Sequence, residues 1–156
     1  MGNEVINKLS KIDGVILTPL NIIEVPGGNV LHGMKSGDAG YSDFGEAYFS
    51  MIEQGSIKAW KRHRQMVLNL IVPLGAVRFV IYDDRKNSTS NGEYQEVILS
   101  INNYCRLTVP PMLWMGFQGI NKEENMLLNI ASIEHIAKEA DRKEMNDIKY
   151  NWRLEK

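Results

Sequence analysis

The feature that most constrains this chain is a succession of short runs rich in β-branched and aromatic residues, each cut off by turn chemistry. The runs predict strands over 15–17, 47–53, 57–62, 66–72, 77–83, 94–100, 105–109, 113–118 and 126–131. Between them stand Pro26-Gly27-Gly28, Pro73-Leu74-Gly75, the stretch from Asn87 to Gly92, and Asn102-Asn103, all turn formers. Strands at this spacing predict an all-β sandwich, jelly roll or barrel. Ahead of them Asn3 is placed to cap a short helix, with Val5, Ile6, Leu9 and Ile12 at helical spacing and a stop before Gly14. Residues 134–147 are polar and predict a helix or an irregular arm, and Tyr150-Asn151-Trp152 offers aromatic surface to lay back on the body. No repeat or linker interrupts the chain, so one domain over 1–156 is expected.

Charge removes several function classes. The 18 basic and 19 acidic residues leave a net charge of −1, without the broad positive footprint of a non-specific nucleic-acid binder. The longest charge-free apolar stretch, 66–77, contains Asn69 and Pro73 and is too short to span a bilayer. The opening Met1-Gly2-Asn3-Glu4 lacks the basic and apolar regions of a signal peptide, and the sole cysteine, Cys105, forms no internal disulfide. A cytoplasmic protein with no nucleic-acid or membrane partner is expected.

The stretch from Lys58 to Gly75 carries the most chemistry. If it is extended, Lys61, His63, Gln65 and Asn69 share one face, while Met66, Leu68, Leu70 and Val72 share the other. Two readings stand side by side: a core face backed by a solvated face, or a polar face lining the mouth of a barrel, where ligands commonly bind. In the second, His63 is the proton-transfer group, because imidazole titrates near neutrality. His32, His63 and His135 form no H-x-H pair and no recognisable ligand run, so no metal and no cofactor are expected. Cys105 lies in an apolar strand pattern and reads as a core residue rather than a nucleophile.

Four segments carry a family resemblance. Gly55-Ser-Ile-Lys58-Ala-Trp-Lys61-Arg-His63 resembles a strand that begins with an Arg-Gly pair and delivers catalytic histidines. Gly75-Ala-Val-Arg78-Phe-Val-Ile-Tyr-Asp-Asp-Arg85 is similar to the Gly-turn and strand that follow it. Leu107-Thr-Val-Pro-Pro-Met-Leu-Trp114-Met-Gly-Phe resembles a proline-then-aromatic strand, and Met126-Leu-Leu-Asn-Ile-Ala-Ser resembles a last barrel strand. Together they span about 45–132 and resemble the cupin-fold enzymes of nucleotide-linked 4-keto-6-deoxyhexoses. Two branches are relevant, the dTDP-4-dehydrorhamnose 3,5-epimerases and the dTDP-sugar 3,4-ketoisomerases. The resemblance implies a cupin-like jelly-roll barrel flanked by the N-terminal helix and a C-terminal helical arm, a nucleotide-sugar substrate, a role in surface polysaccharide synthesis, and a homodimer.

It also implies site residues. Counted without gaps from Gly55, the epimerase histidine falls on Lys61 and His63 lies two residues on; in the ketoisomerase pattern Lys61 and His63 match a histidine pair. The epimerase lysine, second histidine and tyrosine fall near Leu68, on Met115 and at or beside Leu128, so this chain departs from that pattern. Tyr48 matches an early aromatic position of the ketoisomerases. The implied assignment makes His63 the base, Lys61 or Lys58 a holder of the oxyanion or a phosphate, and Tyr48 the returning acid. Gln65 and Asn69 stand on the same polar face. Trp114 would stack on a base or sugar, or pack under the barrel, while Arg78 and Arg106 would hold a diphosphate or pair with Asp83, Asp84 or Glu96. Asp141 and Asp147 reach the imidazole of His63 only if the tail folds back. The alternative readings are a barrel that binds a sugar nucleotide without turnover and, disfavoured by the ligand count, a metal-dependent cupin.

Overall fold

The computed structural model describes residues 12–154. The expected strands form almost where the β-branched runs lie: β1 (Ile16–Pro19), β4 (Glu46–Met51), β5 (Ile57–His63), β6 (Leu68–Leu74), β7 (Ala76–Tyr82), β8 (Tyr94–Ser100), β9 (Cys105–Val109), β10 (Trp114–Gly119) and β11 (Met126–Ala131). Three short strands were not expected: β2 (Ile22–Ile23), β3 (Val30–Leu31) and β12 (Ala140–Arg142). β2 and β3 pair locally with each other, while β12 is set by pairing with the remote β5. One antiparallel sheet runs β1-β9-β6-β11-β4 and a second runs β12-β5-β10-β7-β8, with β2-β3 a separate ribbon.

Period-2 alternation assigns the faces. Along β6, Leu68, Leu70 and Val72 enter the main apolar core with Val77, Phe79, Ile81, Leu107 and Leu127. Between them Asn69 looks outward and shares hydrogen bonds with Thr108 and the Gly40 carbonyl. The outer face of the second sheet carries another cluster, Trp60, Val80, Trp114, Ile148 and Trp152, and there the Tyr150–Trp152 ending packs as expected. Gly75 joins the sheets: at φ 74° it turns β6 into β7, and a Cβ there would lie 2.1 Å from the Glu124 carbonyl oxygen.

The helical ends need correction. The expected N-terminal helix over Asn3 to Ile12 lies outside the described residues except for Ile12, which is buried in the main core. The C-terminal helical arm is not there: 134–147 forms β12 between two short 3₁₀ turns, Ala137–Glu139 and Met145–Asp147. The free edge of β5 decides this, because β12 pairs with it antiparallel through Ala140↔His63, Asp141↔Arg62 and Arg142↔Lys61, bonds an isolated polar helix would not supply. Among the described residues no helix is long and apolar enough to cross a membrane.

Candidate active site

A cavity of about 480 Å³ opens at one end of the two sheets, lined by Tyr48, Lys58, Lys61, His63, Met115 and Asn129 among others. Its floor is apolar: Leu68, Leu70, Met115, Phe117 and Leu127. Its rim is cationic, with Lys58, Lys61 and Arg142 against Glu144, the single carboxylate of the described lining, while Lys143 borders it with its ammonium turned out over the Trp114 ring. Such a rim suits an anionic ligand whose remainder is held by apolar contact.

The strand β5 delivers three of these groups. Lys61 pairs with Met115 and Lys58 with Phe117, so three steps on β5 oppose two on β10. This bulge returns Lys58 and Lys61 to the same inward face, which a regular strand would not do. Gly116 permits the close approach there, since a Cβ at that position would stand 2.6 Å from Ala59 Cβ.

The two strands expected over 57–62 and 66–72 form, but the shared face that a continuous extended stretch would give Lys61, His63, Gln65 and Asn69 does not. The chain leaves the second sheet at His63 and enters the first at Leu68, so the two strands face each other. Gln65 lies in the turn between them, and Asn69 points to the outer face against Gly40 and Thr108. The polar face of β5 and the apolar face of β6 therefore meet across one cavity instead of pointing apart.

His63 is buried and its Nδ1 is hydrogen-bonded to Glu139 Oε1, a carboxylate 76 residues away in sequence. Glu139 Oε2 accepts from the backbone amides of Arg64, Gln65 and Met66 at 3.1, 3.0 and 3.3 Å. Burial alone would raise this carboxyl, but the His63 hydrogen bond and the amide donors outweigh it and hold its pKa below the usual value. An ionised Glu139 accepts from Nδ1–H and leaves Nε2 as the unprotonated nitrogen. Burial pushes the pKa of His63 down, partly countered by Glu139, so the ring is neutral at pH 7. Burial, then the neighbouring Arg142, also lowers the pKa of Lys61.

On the other wall Tyr48 faces the cavity from β4, directly opposite Asn129 on β11. Asn129 Nδ2 donates to the Tyr48 hydroxyl oxygen at 3.0 Å, which leaves the hydroxyl proton free to point elsewhere. Sequence reasoning did not find Glu139, Arg142, Lys143 or Asn129. The tail does fold back on His63, but the carboxylate that reaches it is Glu139 and not Asp141 or Asp147.

Besides Gln65 and Asn69, three more expected binding residues lie away from the cavity. Arg78 is on the outer face of the second sheet, donating to Gln118 Oε1 and the Trp152 carbonyl at 2.5 Å each, with Glu96 at 3.8 Å. Trp114 sits under Arg62 and Lys143, its Nε1 donating to Asp84 at 2.9 Å. Arg106, fully buried, ties down the 33–40 loop through the Gly33 and Ala39 carbonyls and Asp38. Arg106→Met is accordingly expected to cost about 2–4 kcal/mol in urea unfolding, from carbonyls left without a donor. Its ligand affinity should stay unchanged; a selective loss of affinity at full stability would instead make Arg106 a ligand contact.

No family model matches the chain. Its backbone is similar to that of a dTDP-4-dehydrorhamnose 3,5-epimerase from Elizabethkingia anophelis, with a TM-score of 0.81 over 94% of this chain and 85% of that one at 15% identity. This likeness is one of fold. The likeness to a dTDP sugar isomerase from Desulfovibrio desulfuricans G20 is stronger: 34% identity, a TM-score of 0.88, and coverage of 92% of this chain and 94% of that one. The chain belongs to the family of dTDP-sugar isomerases and epimerases. A probable low-salt glycan biosynthesis epimerase of Haloferax volcanii is 32% identical over 84 residues, which span 53% of this chain and 54% of that protein.

Proposed function

We propose that this protein is an epimerase or isomerase of a nucleotide-linked 4-keto-6-deoxyhexose, acting in polysaccharide synthesis in the cytoplasm. The observation that carries the reading is the buried His63–Glu139 pair opening onto a cavity rimmed by cations, with a tyrosine on the opposite wall. A hydrogen on carbon next to a ketone is acidic enough to move once the enolate oxygen is stabilised. His63 Nε2 takes that proton, and the Lys61 ammonium stabilises the enolate oxygen. Tyr48 then returns a proton from the other face. Lys58 and Arg142 hold the diphosphate, and Leu70, Met115 and Phe117 supply apolar contact to the remainder. Gln65, Asn69, Arg78, Arg106 and Trp114 take no part in this reading.

A second reading, a 3,4-ketoisomerase, is favoured by the Lys61/His63 pair on β5 together with a tyrosine on β4 rather than on β11. Incubation with dTDP-4-keto-6-deoxyglucose in heavy water, followed by NMR, separates the two. Deuterium at both C3 and C5 is expected of a 3,5-epimerase; exchange at C3 alone with a displaced ketone identifies the ketoisomerase. Bound nucleotide sugar with no exchange would overturn both in favour of a binding protein.

The protein works in this proposal as a one-domain homodimer. The strand β4 is the edge of its sheet and exposes Phe49 and Met51, surface that a second copy would cover. A sedimentation mass of one chain would refute that.

A further inference from the structure

The strip from Glu139 to Glu144 supplies both ends of the site. Its first residue holds His63, and its last three, Arg142, Lys143 and Glu144, line the cavity. Between them only the three residues of β12 are strand, at the edge of a sheet. Main-chain bonds extend the pairing slightly, with Arg64 N donating to the Glu139 carbonyl and Trp60 and Lys143 exchanging two bonds. A strip this short at a sheet edge has few backbone bonds to fix its register.

One side chain adds what the backbone lacks. Asp141 Oδ2 accepts from Arg62 Nε and Nη2 at 3.0 and 2.7 Å, and Asp141 Oδ1 accepts from Arg64 Nε and Nη2 at 3.1 and 2.5 Å. Each carboxylate oxygen thus receives a forked guanidinium, geometry that fixes direction as well as distance. Arg62 is held in turn by Asp84 at 3.3 Å and by the Trp114 ring at 4.6 Å. The two arginines lower the pKa of Asp141 to about 2, so the clasp stays ionised throughout the neutral range. Asp141 lines no part of the cavity.

We propose that Asp141 is a positioning residue: by clasping Arg62 and Arg64 it sets β12 in register on β5, and thereby places Glu139 against His63 and Arg142 over the substrate's diphosphate. The proposal rests on the reading of His63 as base and of the cationic rim as the anion site. A slip of one residue would withdraw Glu139 from the imidazole and turn Arg142 out of the cavity.

The test is a double-mutant cycle in steady-state kinetics with the sugar nucleotide. Asp141→Asn is expected to lower kcat by about tenfold or more and to raise KM by a similar factor, since small misplacements of reacting groups carry losses of this order. In a Glu139→Ala background the same substitution should change kcat by less than about twofold, because the group it positions is gone, while its effect on KM persists. Equal kcat losses in both backgrounds, or an Asp141→Asn enzyme with native kcat and KM, would overturn the proposal. Arg64→Gln is the companion variant if Asp141→Asn does not fold: the Arg64 side chain is more than half exposed, and the same non-additivity at smaller amplitude is expected of it. If His63→Ala leaves kcat unchanged, the base reading itself fails, and that result is separate from a failure of the clasp.

Discussion

Replacing His63 by alanine is expected to lower kcat by about 10²–10⁴-fold, the usual contribution of a positioned general base. Sugar-nucleotide affinity should stay within about threefold, because Lys58 and Arg142 remain to hold the diphosphate. The size of the effect follows from what else lines the cavity. Lysine and arginine side chains there are cationic, and Tyr48 is the group assigned to the opposite wall. Glu144 is the one rival carboxylate on the described lining, and its side chain caps the turn at Asp147 while its own amide donates to Asp147. His63 alone combines a neutral ring at working pH, a free Nε2 and a fixed orientation. Titration of deuterium exchange in the two variants is decisive. A dead Glu144→Gln enzyme beside an active His63→Ala enzyme would move the base to Glu144.

The legible part of this site was the part encoded by local alternation. Lys61 and His63 stand two apart in one strand, so they share a face whatever surrounds them, and the β-branched runs placed β5, β10 and β11 within a residue or two. Lys58 stands three from Lys61, which alternation puts on the opposite face; the bulge against Gly116 reverses that. Asn69 shows the opposite failure. It shares the His63 face only if the chain stays extended between the strands at 57–62 and 66–72, and what bends it there is a remote carboxylate collecting three consecutive amides. Nothing in Arg64-Gln65-Met66 reports that Glu139 will be there. The tail was opaque for the same reason: a polar stretch becomes a strand only where a neighbour offers an unpaired edge, and the sequence carries no record of which edge is open. Arg78 and Arg106 each carry a charge inside a strand that needs a partner, which leaves a diphosphate and a structural pair both open. They do have partners, carbonyls and side chains on the outer faces of the sheets.

Glu139→Gln is expected to be more damaging than Glu139→Ala, and the difference reports the tautomer of His63. The glutamine oxygen is drawn to the three backbone amides that Glu139 Oε2 now serves, which turns its NH₂ toward His63 Nδ1. A donor facing Nδ1 stabilises the ring with its proton on Nε2, so the nitrogen facing the substrate is no longer a base. Loss of about 10³–10⁴-fold in kcat is expected, the scale seen where an amide replaces the carboxylate behind a catalytic histidine. Alanine imposes no tautomer, and about 10²-fold is expected of it, for the lost orientation. The pH profile of Glu139→Ala adds a sign. The base works unprotonated, so kcat/KM falls as pH drops through the pKa of His63. Glu139 raises that pKa by its hydrogen bond and its charge, against the lowering by burial, so its removal should carry the acid limb to lower pH on a reduced plateau. An acid limb that moves to higher pH, or a glutamine variant more active than the alanine one, would show that Glu139 does not set the charge and tautomer of His63.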